Sequence, residues 1–193
     1  AQLFMFSVIN EKMPNKPKHE HSDRDKIYTP KSIVKEFINK IPASDNDSWC
    51  DCCFGKGVFY DNFPTNNKEF YEIDMDKDFL KSTKKYDWVV TNIPFSKPKE
   101  FIFKMAQASM KGFGILCLAN SMTAMRIKAL ERQGFYLNSV TILYIKDWGF
   151  GYRTDFYVFT KGGKANNLDV MITEKDRGTN FTKSSADDFP TES

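Results

Sequence analysis

The apolar run Trp88-Val89-Val90-Thr91 ends in Asn92-Ile93-Pro94-Phe95. A strand that stops in an amide, a proline and an aromatic ring brings three chemical devices to one turn. The Asn92 side chain offers a carbonyl oxygen as acceptor. Pro94 stiffens the backbone, and Phe95 supplies a flat surface for stacking. Together they suit a planar group that carries an amine, such as an adenine edge. The same four residues also read as a strand ending in a proline turn over a core phenylalanine, and short motifs produce false positives.

Three further features fall at the ends of apolar segments. In Asp51-Cys52-Cys53-Phe54-Gly55-Lys56-Gly57-Val58-Phe59 two glycines stand two apart, which lets a backbone turn pass close to a ligand. The run lacks the Gly-Lys-Ser/Thr of a phosphate-binding loop and the glycine triplet of dinucleotide folds. Glu72, with Asp74 close by, lies 17 residues after Gly55, near the ~20-residue interval at which an acidic group meets a ribose diol. Asp76-Lys77-Asp78-Phe79-Leu80 sets a carboxylate beside a ring, a pairing that can accept from an amine while packing on a base. Each has a plain alternative: a strand-to-helix turn, a solvated carboxylate, an exposed charge run. Ligands of open parallel sheets bind at the carboxyl ends of strands, and four features at such ends point to one shared site.

The elements that must position these residues follow from periodicity. Thr29-Pro30 opens a helix in which Ile33, Val34, Phe37 and Ile38 recur at helical spacing, and Pro42 closes it. Strands are expected at 49–54, 70–73, 88–91 and 113–119, and helices at 98–110 and 121–133, with Gly134 as a stop. Two more strands, 137–145 and 152–160, flank a hairpin tip that carries Lys146, Trp148, Phe150, Tyr152 and Arg153. Strands alternate with helices until the last two. The pattern predicts an α/β chain with a mostly parallel sheet and an antiparallel C-terminal hairpin. Residues 1–27 read as a polar N-terminal arm, 28–162 as the folded domain, and 163–193, rich in Ser, Thr and Asp, as a flexible tail.

Composition narrows the function classes. The net charge is +3 over 193 residues; the four basic and six acidic residues from Gly163 onward leave +5 for the rest, enough for a modest basic face and no more. No apolar stretch approaches a membrane span, and the apolar start lacks the basic region of a signal peptide. Cys50, Cys52 and Cys53 lie almost contiguously and cannot all pair with one another or with Cys117. Reduced thiols and a cytoplasmic setting follow. A zinc site with His19 or His21 lacks finger or ribbon spacing, so no metal is expected.

From Tyr28 to Thr160 the chain resembles the class I S-adenosylmethionine-dependent methyltransferases, in particular the adenine-N6 group that acts on nucleic acid. Tyr28-Thr29-Pro30 resembles the segment over the methionine part of the cofactor. Asp51, Cys53, Gly55, Gly57 and Phe59 resemble the cofactor loop. Glu72-Ile73-Asp74 resembles the ribose-binding strand end, Asp78-Phe79 the adenine-binding pair, and Asn92-Ile93-Pro94-Phe95 the catalytic Asn/Asp-Pro-Pro-Tyr/Phe motif. All five stand in the family's order.

The resemblance implies a Rossmann-like fold, S-adenosylmethionine as cofactor, and methylation of the adenine exocyclic amine in DNA. Asn92, Ile93, Pro94 and Phe95 would be the catalytic group. Asn92 also belongs to the cofactor-binding set. Phe95 and the hairpin-tip residues Lys146, Trp148, Phe150, Tyr152 and Arg153 would meet the substrate. Ile93 replaces the usual proline of the DNA enzymes and is similar to the ribosomal-RNA adenine dimethyltransferases, which keeps RNA open as a substrate. Those enzymes carry a third glycine where this chain has Phe59. A catalytically silent subunit and a protein-glutamine methyltransferase are further alternatives. No stretch is long enough for a separate target-recognition domain, so a homodimer or a specificity subunit would complete recognition.

Overall fold

The computed structural model describes residues 29–144, 153–163 and 167–172. Seven strands form one sheet: β1 (Trp49–Asp51), β2 (Lys68–Phe70), β3 (Tyr86–Asn92), β4 (Ser109–Leu118), β5 (Phe135–Tyr144), β6 (Thr154–Lys161) and β7 (Asn167–Ile172). Their order is β2-β1-β3-β4-β6-β5-β7. β2, β1, β3 and β4 are mutually parallel, β6 runs antiparallel between β4 and β5, and β7 lies parallel to β5. The mostly parallel sheet with an antiparallel β5–β6 pair is the expected architecture. One expectation is corrected: β7 falls inside 163–193, the segment read as a tail. It follows the turn at Gly162, whose φ of 74° suits glycine. Backbone pairing to β5 supplies an order that polar composition does not reveal.

Among the described residues four helices cover the sheet: α1 (Lys31–Asn39), α2 (Val58–Asn62), α3 (Pro98–Ala108) and α4 (Ala124–Arg132). The stripe Ile33, Val34, Phe37 and Ile38 seats α1 on one face with α2, Trp49, Trp88, Leu116 and Phe156. Phe37 stacks on Phe156 with ring centroids 4.1 Å apart. The other face packs Ile102 and Met105 of α3 and Leu130 of α4 against Val89, Phe113, Ile115 and Phe159. Pro30, rather than Thr29, is the boundary residue of α1 and its carbonyl accepts from Ile33 and Val34. Thr29 is thereby buried just outside the helix. Thr123 caps α4 by accepting from the Arg126 N–H.

Parallel pairing sends the carboxyl ends of β1, β2 and β3 to one edge. The strand expected at 49–54 stops at Asp51, and that expected at 70–73 ends at Phe70. Two 3-10 turns, Ile73–Met75 and Phe79–Lys81, are the only helical elements between β2 and β3 among the described residues. β2 is therefore an edge strand, and the backbone after it is free to curl over the strand ends.

Candidate functional site

A cleft of about 480 Å³ opens at these strand ends, within the size range of small-molecule sites. Of the residues expected from sequence, it is lined by Thr29, Cys53, Gly55, Phe59, Glu72, Ile73, Asp78, Phe79, Asn92 and Pro94. Pro30, Asp51, Gly57, Ile93 and Phe95 are not in its lining. Tyr28, Lys146, Trp148, Phe150 and Tyr152 lie outside the described residues. Arg153 is described, and stands apart from the cleft on β6's leading edge.

The loop after β1 is shaped by backbone needs. Gly55 and Gly57 take φ of 52° and 75°, the left-handed region that L side chains avoid. A Cβ on Gly57 would lie 2.7 Å from the Phe54 ring. Glu72 clamps the loop to the neighbouring strand end, its Oε2 accepting from the Gly55 N–H at 2.8 Å.

Asp51 stands behind the loop. It is fully buried and accepts from the Thr91 hydroxyl at 2.7 Å and from the Cys53 and Tyr60 N–H groups at 3.2 Å each. Burial pushes its carboxyl up to about 6, against those bonds. It shapes the cradle from beneath.

The far wall is the turn bearing Asp78 and Phe79. Asp78 accepts from the Leu80 N–H at 3.0 Å and pairs with Lys81 at 3.3 Å. Phe79 is buried and lies nearly parallel to Phe101 of α3, centroids 6.3 Å apart. Tyr71 ties this turn to the sheet, its hydroxyl 2.8 Å from both Ser82 Oγ and the Tyr86 hydroxyl. Ile73 and Met75, 50% and 52% exposed, form an apolar rim between Glu72 and Asp78, a surface on which a flat ring can lie.

Asn92, the last residue of β3, reaches the cleft with its Nδ2 at a long 3.5 Å from Thr29 Oγ1. Ile93 is buried and donates its N–H to the Leu116 carbonyl at 3.2 Å. A proline there would lack that donor, so isoleucine extends the pairing with β4 by one bond. Phe95 is half-buried beyond the cleft.

Sequence reasoning missed several lining residues: Cys52, Phe54, Lys56, Met75, Ser96, Lys97 and Phe101. Ser96 and Lys97 follow the Asn92 turn directly, and that adjacency was the available signal. Phe101 reads as a core position by helical spacing, and its ring does both jobs. Cys50, Cys52 and Cys117 are buried and Cys53 is half-buried. Burial pushes all four thiols up. No group of three or more His, Cys, Asp and Glu that could hold a metal ion occurs among the described residues, and none of their helices is long and apolar enough to cross a membrane.

No protein-family model matches the chain, and no curated protein matches it in sequence. Its fold is similar to that of several solved structures. One is the M protein of the type I restriction enzyme EcoKI, with a TM-score of 0.60, 14% identity, and 76% of this chain covered against 48% of that one. A second is a Listeria monocytogenes protein assigned by inference to the class I S-adenosylmethionine-dependent methyltransferases, with a TM-score of 0.59, 12% identity, and coverage of 80% and 68%. A third is a Pyrococcus horikoshii protein assigned by inference as an RNA methyltransferase, with a TM-score of 0.53, 16% identity, and coverage of 69% and 85%. The chain thus spans about half the length of the restriction-enzyme subunit. These likenesses establish a Rossmann-like fold shared with methyltransferases.

Proposed function

We propose that this chain is an S-adenosylmethionine-dependent methyltransferase that modifies the exocyclic amine of adenine in DNA. The observation that carries the reading is the convergence of Glu72 and Asn92 on one cleft, from two strand ends on either side of the Asp51–Phe59 loop. The residues present fit the cofactor. The Gly55 backbone allows close approach, Glu72 offers an acceptor for a ribose hydroxyl, Asp78 one for an adenine amine, and Ile73 with Phe79 an apolar bed. When bound, the cofactor supplies an electrophilic methyl group on a sulfonium.

The chain's own residues act on the acceptor. Adenine's amine is a poor nucleophile because its lone pair is delocalised into the ring. The Asn92 side-chain oxygen and the Ile93 carbonyl accept its two hydrogens, which favours tetrahedral nitrogen and a localised lone pair. Phe95 stacks on the extruded base. Holding both reactants in line contributes most of the acceleration.

Charge distribution supports a polyanionic substrate. Between residues 45 and 87 the chain carries ten acidic and six basic side chains; between 97 and 132 it carries two acidic and seven basic. The half that follows the Asn92 turn is thus the cationic one, and it suits a phosphate backbone. RNA is the second reading, favoured by Ile93 in the motif. The likeness to a type I modification subunit is in keeping with a partner or second copy that completes recognition, and four free thiols suit a reducing cytoplasm.

Incubation with methyl-labelled S-adenosylmethionine and separate DNA, RNA and protein pools tests the reading. Label in DNA alone is expected. Label in RNA alone would select the second reading, and label confined to protein would refute both.

A further inference from the structure

Outside the cleft, one cluster of ionisable groups stands at the same end of the sheet. Asp155 on β6 is 0% exposed. Its Oδ2 accepts from Arg153 Nε at 3.1 Å, from Arg153 Nη2 at 2.8 Å and from the Tyr157 hydroxyl at 3.1 Å. Its Oδ1 is buried with no hydrogen-bond partner. A buried carboxylate left half satisfied is costly to the fold, and such costs gather at functional positions.

The register places the cluster near the Asn92 turn. Ile93 bonds to Leu116 of β4, Cys117 of β4 pairs with Asp155, and the Ala119 N–H donates to the Arg153 carbonyl at 2.8 Å. Two strand spacings, roughly 10 Å, separate Arg153 from the turn. A stacked strand advances about 3.4 Å per nucleotide, so a base near the target comes within reach of this side chain.

Arg153 is not a loose surface cation. Asp155 holds its Nε–Nη2 edge and offsets its charge, while the side chain remains 59% exposed. A free surface arginine would make one phosphate contact. A neutralised pair gains little from a distant phosphate charge. What it keeps is a fixed Nη1–Nη2 edge with parallel donors.

We propose, resting on the nucleic-acid reading above, that Arg153 recognises a base beside the target adenine that presents two adjacent acceptors. Guanine, with N7 and O6, is that base. Asp155 is the positioning residue that aims it.

The test uses the full chain and DNA oligonucleotides in which guanine or 7-deazaguanine, which lacks the N7 acceptor, flanks the adenine. Fluorescence anisotropy gives affinity and salt dependence, and labelled methyl transfer gives kcat and KM. The parent should prefer guanine by about tenfold, within the range for a bidentate base contact. Arg153→Ala should erase the preference and leave cofactor affinity unaltered. Asp155→Asn should erase it too, while binding at low salt tightens and the slope steepens by about 0.9, one uncompensated cation. Arg153→Ala that keeps the guanine preference would overturn the proposal. So would a parent indifferent to 7-deazaguanine. Failure of methyl transfer to every nucleic acid refutes the proposed function, whereas the anisotropy arm judges Arg153 by itself.

Discussion

Asp47 precedes the three-residue strand β1 and Asp51 is its last residue, and both are buried, at 4% and 0% exposure. Their surroundings are opposite. At the amino end of the sheet, Asp47 accepts from the Trp88 indole at 2.8 Å, from the Ser44 N–H at 3.0 Å and from the Lys111 ammonium. Burial pushes its carboxyl up, and Lys111, Ser44 and Trp88 together outweigh burial and hold it below the usual range. At the carboxyl end, Asp51 has three neutral donors, and burial wins. One carboxylate is a lock between β1, β3 and β4. The other supports the loop beneath the cleft at an electrostatic cost. The fold gives Asp47 a cationic partner and leaves Asp51, behind the loop that lines the cleft, with neutral donors that do not outweigh its burial.

The pH dependence of stability separates the two most sharply. Asp51 has a folded value of about 6 against an unfolded value near 3.9. Between about pH 4 and 6 the unfolded chain has released this proton while the folded chain keeps it. Stability from this group is therefore full below about 4, falls as pH rises to about 6, and is then flat, a loss of about 3 kcal/mol. Asp47 and Glu69, both lowered, act with the opposite sign. Their contribution is present above the unfolded value and is lost as pH falls through the folded one. Urea midpoints of the parent and Asp51→Asn from pH 4 to 7 should diverge by that decline; parallel curves would show that Asp51 is not strained.

Asp47→Ala should lower stability by about 2–3 kcal/mol, because it strands the Trp88 and Ser44 donors, with cofactor affinity unchanged in the folded fraction. A change in affinity would couple the two ends and break the comparison. Glu72→Ala should do the reverse. S-adenosylmethionine binding should weaken by about 2 kcal/mol, the range for a hydrogen bond to a charged group, with a smaller effect on the urea midpoint. Calorimetry with unaltered affinity would remove Glu72 from the site.

Much of the site was legible because chemistry and spacing coincide in it. Asn92 and Pro94 close a strand whose apolar run is unmistakable, and Glu72 follows Gly55 at a ribose-like interval; both reach the cleft. The role of Asp51 was not legible, because residue type does not tell whether a carboxylate faces a ligand or its own backbone. Strand ends shifted for a related reason. Cys52 and Cys53 continue an apolar pattern, and the bend after Asp51 comes from the side-chain bond to the Cys53 N–H. β7 was hidden in polar composition because its order comes from pairing to β5. Arg153 and Asp155 are two apart in the strand expected at 152–160, so a shared face was foreseeable. That Asp155 is buried and offsets the arginine was not, since only the packing of β4 against β6 decides it.

The central claim is that Asn92 acts on the acceptor amine as the methyl moves, in a cleft that other residues build. The most direct test measures cofactor affinity and nucleoside products in one preparation of Asn92→Ala beside the parent. Nuclease digestion and mass spectrometry of the treated DNA should give N6-methyldeoxyadenosine for the parent. For Asn92→Ala, turnover should fall about a hundredfold or more, as when a donor or acceptor used in the transition state is removed, with S-adenosylmethionine affinity retained. An Asn92→Ala protein that methylates as fast as the parent, or a parent whose product carries the methyl elsewhere than N6 of adenine, would contradict it.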